Sequence, residues 1–176
     1  MLQRYWERTR DEEGFTLIEL MVVVLIIGIL IAIALPTFLG ARTRAQNRAA
    51  QSDLRNALVA AKTMYTDNST YALADSAATG LVTVEPSLCY VAAGTASVSS
   101  GAVCVSGGGA ASVSVAPNVG VGINEWAGAR MSASATCYGI NDNAATGTTY
   151  GSTDPGGTLA ACTGTSALGV TLLVFP

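Results

Sequence analysis

The apolar and polar positions of the chain divide it into segments of very different character. Residues 1–14 are polar, and Leu20 to Leu35 form a run of sixteen residues without a polar side chain. As an α-helix rising about 1.5 Å per residue, residues 15–35 would be roughly 31 Å long. That length matches a bilayer hydrocarbon core of about 30 Å. The pattern therefore predicts one membrane-spanning helix.

Residues 36–68 keep a helical pattern but become amphipathic. They are rich in Ala, Arg, Gln and Leu, and one face carries an apolar set: Leu54, Leu58, Ala61 and Tyr65. The segment "TDNST" is the expected end of the helix, where Asn68 can adopt a left-handed conformation. Gly28 and Pro36 lie within the combined run, and a proline removes a backbone hydrogen bond. Both are candidate kink positions, and an incidental kink and a functional hinge both stay open.

Residues 69–176 change to a β-rich composition of Gly, Ser, Thr, Ala and Val. Short alternating runs separated by turn residues predict strands: "LVTVE", "LCYVA", "SVSVA", "VGVGI" and "GVTLLVF". Within "INEWAGARM", Trp126 and Arg130 are interpreted as core and rim. The predicted fold class is α+β, a long N-terminal helix whose second half packs on a small antiparallel β-sheet head.

All of the cysteines fall in this β-rich head, which indicates an oxidising compartment: Cys89, Cys104, Cys137 and Cys162. Four cysteines allow three pairings. We favour Cys89 with Cys104 and Cys137 with Cys162, because nearest-neighbour loops close most simply. Unpaired buried thiols stay an alternative. Two disulfides would strengthen a head that has few aromatic residues for its core.

The charge distribution excludes several functions. The chain has 9 basic and 12 acidic side chains, and from Tyr65 onward Arg130 is the one base. An acidic head is unsuited to nucleic acid, whose phosphates attract clustered Lys and Arg. The sequence has no His and no paired-carboxylate or CxxC pattern, so we predict no enzyme, metal or cofactor. "NDNAATG", from Asn141 to Gly147, lacks the regular ligand alternation of a calcium loop and is interpreted as a turn.

Glu19 places a carboxylate directly before the apolar run. A charge inside a membrane is costly, so Glu19 is a candidate functional residue. A secretory signal peptide, with Ala32 to Ala34 imitating a cleavage site, is the alternative interpretation of the segment. It fits poorly, because the leader has a net charge of −1 and the apolar run is too long. Basic residues flank the run on both sides and give no orientation.

The stretch "GFTLIELMVVVLIIGILIAIALPTFLGARTRAQ", Gly14 to Gln46, resembles the N-terminal segment of type IV pilins and pseudopilins. The resemblance implies that a prepilin peptidase removes residues 1–14 by cutting between Gly14 and Phe15. It also implies N-methylation of Phe15, and a head outside the cytoplasm. The acidic "DEE" before Gly14 departs from the pattern, because many relatives have a base there.

By this resemblance the chain is a structural subunit of a pilus for adhesion or motility. It starts as a single-pass protein of the cytoplasmic (inner) membrane, held in lipid, and ends in an extracellular surface filament. Its implied partners are copies of itself, other pilins, the peptidase and the assembly machinery. The buried ammonium of Phe15 would need a partner, which Glu19 of a neighbouring subunit could supply during assembly.

Two other functions stay open at this point. One is a pseudopilin of a type II secretion or DNA-uptake system, with the same helix and assembly chemistry; the weak ion loop argues mildly against it, since many major pseudopilins hold calcium. The other is an anchored binding domain that never polymerises. Such a domain would need neither Glu19 nor the junction of Gly14 and Phe15.

Overall fold

The computed structural model describes residues 14–99, 104, 111–120, 123–153 and 162–168. It contains a long helix, a 3-10 turn, five strands and a short second helix, in this order: α1 Leu17–Asn68, the 3-10 turn Leu81–Thr83, β1 Cys89–Val91, β2 Ser112–Gly120, β3 Ile123–Met131, β4 Cys137–Asn143, β5 Gly147–Thr153 and α2 Gly164–Ala167. The α+β fold class is confirmed. The chain divides into two compact units, Met1–Arg42 and Thr43–Pro176.

The first unit consists, in its described part, of the first half of α1. The helix is continuous through Gly28 and Pro36, and the Thr37 hydroxyl donates to the Ala34 carbonyl at 2.8 Å. A kink at either position stays a prediction. The large apolar side chains of this half are exposed, and its most apolar 18 residues have a mean hydropathy of 3.1. By length and composition the helix can cross a membrane.

The second half of α1 supplies one wall of the core in the second unit. Leu54, Leu58 and Ala61 are buried and Tyr65 is half-buried, which confirms the predicted apolar face. The helix ends at Asn68, whose side-chain amide donates to the Met64 carbonyl at 2.9 Å. The left-handed residue is Ser69, with φ of 54°, and not Asn68 as predicted.

The sheet forms the other wall of that core, with strand order β1-β2-β3-β4-β5. Strands β2 to β5 pair antiparallel, whereas β1 pairs parallel with β2, Cys89 opposite Ser112. Gly128 in β3 leaves room for its neighbours, because an added Cβ would lie 2.9 Å from the Trp126 ring. The strand side chains in the cluster with α1 are buried: Val113, Val115, Trp126, Tyr138 and Ile140.

A second, smaller cluster covers part of the opposite face of the sheet. Ala127 and Ala129 of β3 pack there with Ala167 of α2 and with both members of the Cys137–Cys162 disulfide. Gly164 lies against β2, where a Cβ would be 2.8 Å from the Val115 carbonyl carbon. A disulfide also joins Cys89 to Cys104. The cysteines thus pair as the nearest-neighbour hypothesis has them.

The strand predictions were partly wrong. "LCYVA" and "SVSVA" contain β1 and the start of β2, but "LVTVE" forms a 3-10 turn at Leu81–Thr83. The Thr83 hydroxyl donates to the Gly80 carbonyl at 2.8 Å, which closes this turn locally instead of in a sheet. "VGVGI" spans the end of β2 and the start of β3. "GVTLLVF" lies outside the described residues.

Three strands were not predicted individually: β3, β4 and β5. "INEWAGARM" forms β3, in which Trp126 is in the core as predicted. Arg130 is also buried and donates from Nε to Asp53 at 2.9 Å, so its interpretation as a rim residue was wrong. "CYGINDN" and "GTTYGST" form β4 and β5, although Gly and polar residues interrupt their alternation. Tertiary packing on both faces of the sheet decides these strands more than local propensity does.

Candidate functional site

The start of α1 brings together three of the residues singled out in the sequence. Gly14 and Phe15 precede the helix in irregular backbone, and Glu19 lies in its first turn. An added Cβ at Gly14 would meet nothing within 4 Å. Packing among the described residues therefore does not require a glycine there. The Phe15 side chain is 80% exposed.

Glu19 is bound by a residue that the sequence analysis overlooked, Thr16. The Thr16 amide donates to Glu19 Oε2 at 2.9 Å, and the Thr16 hydroxyl donates to the same oxygen at 2.6 Å. In return, the Glu19 amide donates to Thr16 Oγ1 at 3.3 Å. This reciprocal pair is a capping box, in which a Thr before the helix and a Glu three residues later satisfy each other's amides. The letters "TLIE" carry its signature.

The capping box explains how an isolated chain can hold a carboxylate beside an apolar helix. Glu19 accepts two hydrogen bonds from its own chain and lies at the positive end of the helix dipole. Both effects stabilise the ionised form where the apolar run begins. The carboxylate is nevertheless exposed, so it remains open to a further partner.

Gly28 and Pro36 lie away from this cluster. They follow Glu19 by 9 and 17 residues, roughly 14 and 26 Å along an α-helix. The four cysteines belong to the second unit. The structure therefore brings together the proposed cleavage, methylation and assembly residues, and it leaves the kink and disulfide residues as separate features.

In the second unit, a buried polar group joins α1 to the sheet. Lys62 Nζ lies 2.9 Å from Asp142 Oδ1, and the hydroxyls of Tyr71 and Thr148 both donate to the Asp142 carboxylate. Burial raises the pKa of Asp142, but the hydrogen bonds from Thr148, Tyr71 and Lys62 outweigh it and hold that pKa below its ordinary value. Burial, together with the bond to Asp142, raises the pKa of Tyr71.

The loop after this group is a hairpin turn, which agrees with the interpretation of "NDNAATG". Asn143 Oδ1 accepts from the amides of Ala145 and Thr146, at 2.9 and 3.2 Å. Gly147 has φ of 92°, a conformation that favours glycine. Asp142, the one acid of this stretch, binds Lys62 and two hydroxyls. The residues around it therefore serve packing between α1 and the sheet.

The sequence that contains the start of α1 matches a family model. Residues 9–35 match the model described as the prokaryotic N-terminal methylation motif. The chain has a type IV pilin-like N-terminal segment. This match covers the junction of Gly14 and Phe15, the capping box and the apolar run.

Curated relatives match this chain over longer stretches than the family model does. The chain is 45% identical over 58 residues to the type IV major pilin protein PilA of Myxococcus xanthus, covering 33% of this chain and 26% of that pilin. It is 42% identical over 78 residues to the type II secretion system core protein G of Vibrio cholerae, covering 44% and 53%. It is 40% identical over 62 residues to the type IV wide pilus major component PilA4 of Thermus thermophilus, covering 35% and 47%.

The likeness is confined to part of each protein. The chain spans between about a quarter and about half of the length of these relatives. No solved structure matches the chain. The pilin-like segment therefore has known relatives, whereas the sheet and its disulfides are described from this structure alone.

Proposed function

We propose that this chain is a structural subunit of the type IV pilin kind, which polymerises into a surface filament for adhesion or motility. One observation carries the proposal. A methylation motif leads directly into an apolar helix, and the first turn of that helix presents Glu19 in a capping box. A membrane anchor alone could be capped there by a neutral Gln, which completes a capping box without a charge.

The first step is processing of the leader. We propose that a prepilin peptidase cuts between Gly14 and Phe15 on the cytoplasmic side and methylates the new amino group of Phe15. The irregular backbone at Gly14 and Phe15, outside α1, supports access to this bond. The mature chain then starts one residue before the helix cap at Thr16, and residues 15–35 hold it in the cytoplasmic membrane.

The second step is entry into a filament. Cleavage creates an ammonium group at Phe15, and burying that charge among apolar helices requires a partner. The Glu19 carboxylate of a neighbouring copy is such a partner, because the capping box orients it at the helix start while leaving it exposed. A charge-assisted hydrogen bond of this kind strengthens in apolar surroundings. The exposed apolar side chains of α1 would exchange lipid for the helices of other copies.

The head is exported and has a structural role, with no catalysis of its own. Two disulfides support export into an oxidising compartment. They also close loops in the sheet domain, which must stay folded at the surface of a filament. We propose other pilins and a membrane assembly machine as further partners.

A second candidate is a pseudopilin of a type II secretion or DNA-uptake system. The match with core protein G favours it, since its 78 aligned residues exceed the 58 and 62 of the two pilins. We place the pilus first because the stretch that would have to hold an ion forms a hairpin turn, and its one acid, Asp142, is bound by Lys62.

The test is the chemistry and the location of the mature chain. Intact mass and N-terminal sequencing of sheared surface material should show N-methylated Phe15, and electron microscopy of that material should show filaments containing this chain. Replacing Gly14 with Leu should leave the full-length precursor in the membrane. A mature N-terminus at Pro36 or later would indicate ordinary signal peptidase, and the proposal would fall. Processed protein without filaments would leave a short secretion pseudopilus as the better function.

A further inference from the structure

Four basic residues of α1 in the second unit fall on one side of the helix. At about 100° per residue, they lie within about 40° of one another around its axis. We call them the basic stripe: Arg44, Arg48, Arg55 and Lys62. The three arginines are exposed, and the Lys62 side chain is 49% exposed beside its bond to Asp142.

Two members of the basic stripe, Arg44 and Arg48, are not explained by the described fold of their own chain. The buried residues Leu54, Ala57 and Ala61 belong to a face centred about 120° away around the helix. Within the described residues, neither Arg44 nor Arg48 makes a hydrogen bond or ion pair. Their charges are therefore available to a partner.

A segment of opposite charge begins in the last two residues of α1, with Asp67 exposed and Asp75 and Glu85 half-buried. We call it the acidic loop, residues 67–85, which contains Asp67, Asp75 and Glu85 and neither Lys nor Arg. Asp75 accepts from the Ala77 amide at 3.0 Å, and Glu85 accepts from the Ser87 amide at 3.2 Å. The two salt bridges of the described residues, Lys62 with Asp142 and Arg130 with Asp53, do not include any of these three acids.

The arrangement of the stripe distinguishes between two possible anionic partners, the headgroups of a lipid bilayer and the acidic surface of a protein. From Arg44 to Lys62 it extends roughly 27 Å along the axis, but it is confined to one side. A lipid headgroup region is only about 5 to 8 Å deep and would reach bases on every side of a helix that crosses it. Bases that extend along the helix axis but all lie on one side of it suit a partner that lies alongside the helix.

We propose that the basic stripe of one copy binds the acidic loop of another copy. Arg44 lies 23 residues before Asp67, roughly 35 Å along α1. The contact therefore joins two different surfaces at different levels. Such a heterologous contact adds copies indefinitely when its rotation does not close a ring. This inference rests on the proposed function and assigns the electrostatic surface by which copies recognise one another.

The first experiment distinguishes the loss of basic residues in the stripe from an equal change in the net charge of the chain. Arg44→Gln with Arg48→Gln lowers the net charge by 2, and so does the control pair Asn56→Glu with Thr63→Glu, both exposed and off the stripe. We expect about tenfold less filament from the stripe variant in a shear assay. The control should stay within about twofold of wild type. Equal loss in both variants would overturn the proposal.

The second experiment tests whether the contact is between copies. Arg44→Glu with Arg48→Glu in one chain, and Asp75→Lys with Glu85→Lys in another, should each abolish filaments when expressed alone. Expressed together, each chain offers the other a complementary surface, so filaments should return. A contact within one chain would give no such rescue, and failure of the mixture with both chains folded and disulfide-bonded would overturn the proposal.

Three further outcomes are informative. If the stripe variants lose membrane-resident, processed protein while the control keeps it, the bases act on headgroups and the proposal is wrong. If wild type itself forms no filaments, the proposed function fails. If wild type forms filaments and both stripe variants match it, only the assignment of the stripe fails.

Discussion

The two units of this chain handle apolar side chains in opposite ways. In the second unit, Leu54, Trp126 and Ile140 are buried against one another, so the chain supplies its own apolar environment. In the first unit, Leu20 to Leu35 are exposed along a single helix. That helix needs a lipid bilayer or other helices to cover it. The second unit thus buries its apolar side chains within itself, and those of the first unit are covered only in a membrane or an assembly.

Substitutions at Glu19 test the incomplete unit and should have the largest effect. Glu19→Ala removes both the capping box and the charge, whereas Glu19→Gln retains an oxygen that can accept from the Thr16 amide. If the charge pairs with the Phe15 ammonium, both variants should reach the membrane and be processed. Both should then lose filaments by about a hundredfold or more, because leaving a buried ammonium unpaired costs several kcal/mol.

The measurement is a shear assay beside a membrane fraction, for wild type and both variants. Wild-type filament yield from Glu19→Gln alone would mean that the cap is sufficient and the charge is not needed. Wild-type yield from both variants would remove Glu19 from the assembly site altogether.

Trp126→Ala tests the self-sufficient unit. Trp126 is fully buried and donates from Nε1 to the Ala74 carbonyl at 2.9 Å. We expect the free energy of unfolding to fall by about 3 to 5 kcal/mol, as measured by denaturant unfolding of the detergent-solubilised chain with circular dichroism. Leu25→Ala is the matched control in the first unit. Because Leu25 is 63% exposed, its loss should leave the unfolding of the sheet domain unchanged. Equal destabilisation by both would contradict the division into two units.

The disulfides should contribute less than the tryptophan. Cys137→Ser with Cys162→Ser opens a loop with a sequence separation of 25 and detaches the segment before α2 from β4. The chain-entropy estimate gives a loss of about 3 kcal/mol. Non-reducing peptide mapping of exported wild type should first show both linkages, Cys89 to Cys104 and Cys137 to Cys162. Crossed linkages would contradict the structure, and free thiols would remove this source of stability.

The sequence predicted the first unit more fully than the second, for a physical reason. A membrane-length apolar run has a strong signal of its own, as does a glycine before Phe15 and Glu19. The strands β3, β4 and β5 lack such a signal, because Gly128, Gly139 and Gly151 interrupt them and their pairing is decided by long-range contacts. The parallel pairing of β1 with β2 could likewise not be predicted, since the local sequence of a strand does not determine the direction of its neighbour.

Two further residues show where sequence reasoning stopped short at the site. The role of Thr16 could be predicted, because "TLIE" has the pattern of a capping box, but Glu19 was interpreted through its charge alone. The contacts of Asp142 could not be predicted from the sequence. Its partners Lys62, Tyr71 and Thr148 come from α1, a loop and β5, and only the folded chain brings them together.

Asp142 also gives the smallest predicted effect, in the pH dependence of the second unit. Its pKa in the folded state lies below the ordinary value, so it stabilises the fold above that ordinary value, near pH 4. This stabilisation is lost as the pH falls through the lower, folded pKa. Since other carboxylates also titrate, the informative quantity is the difference in unfolding free energy between wild type and Asp142→Asn.

We expect that difference to be about 1 to 3 kcal/mol at pH 7 and to shrink steadily below about pH 5. Lys62→Met should lose at most about 1 kcal/mol, because Lys62 is half-exposed and Tyr71 and Thr148 still donate to Asp142. A difference that stays constant from pH 7 to pH 2 would mean that Asp142 acts through packing and not through its charge. All of the residues of this group belong to the second unit. The filament yield of these variants at neutral pH should therefore fall only if the substitution unfolds the sheet domain.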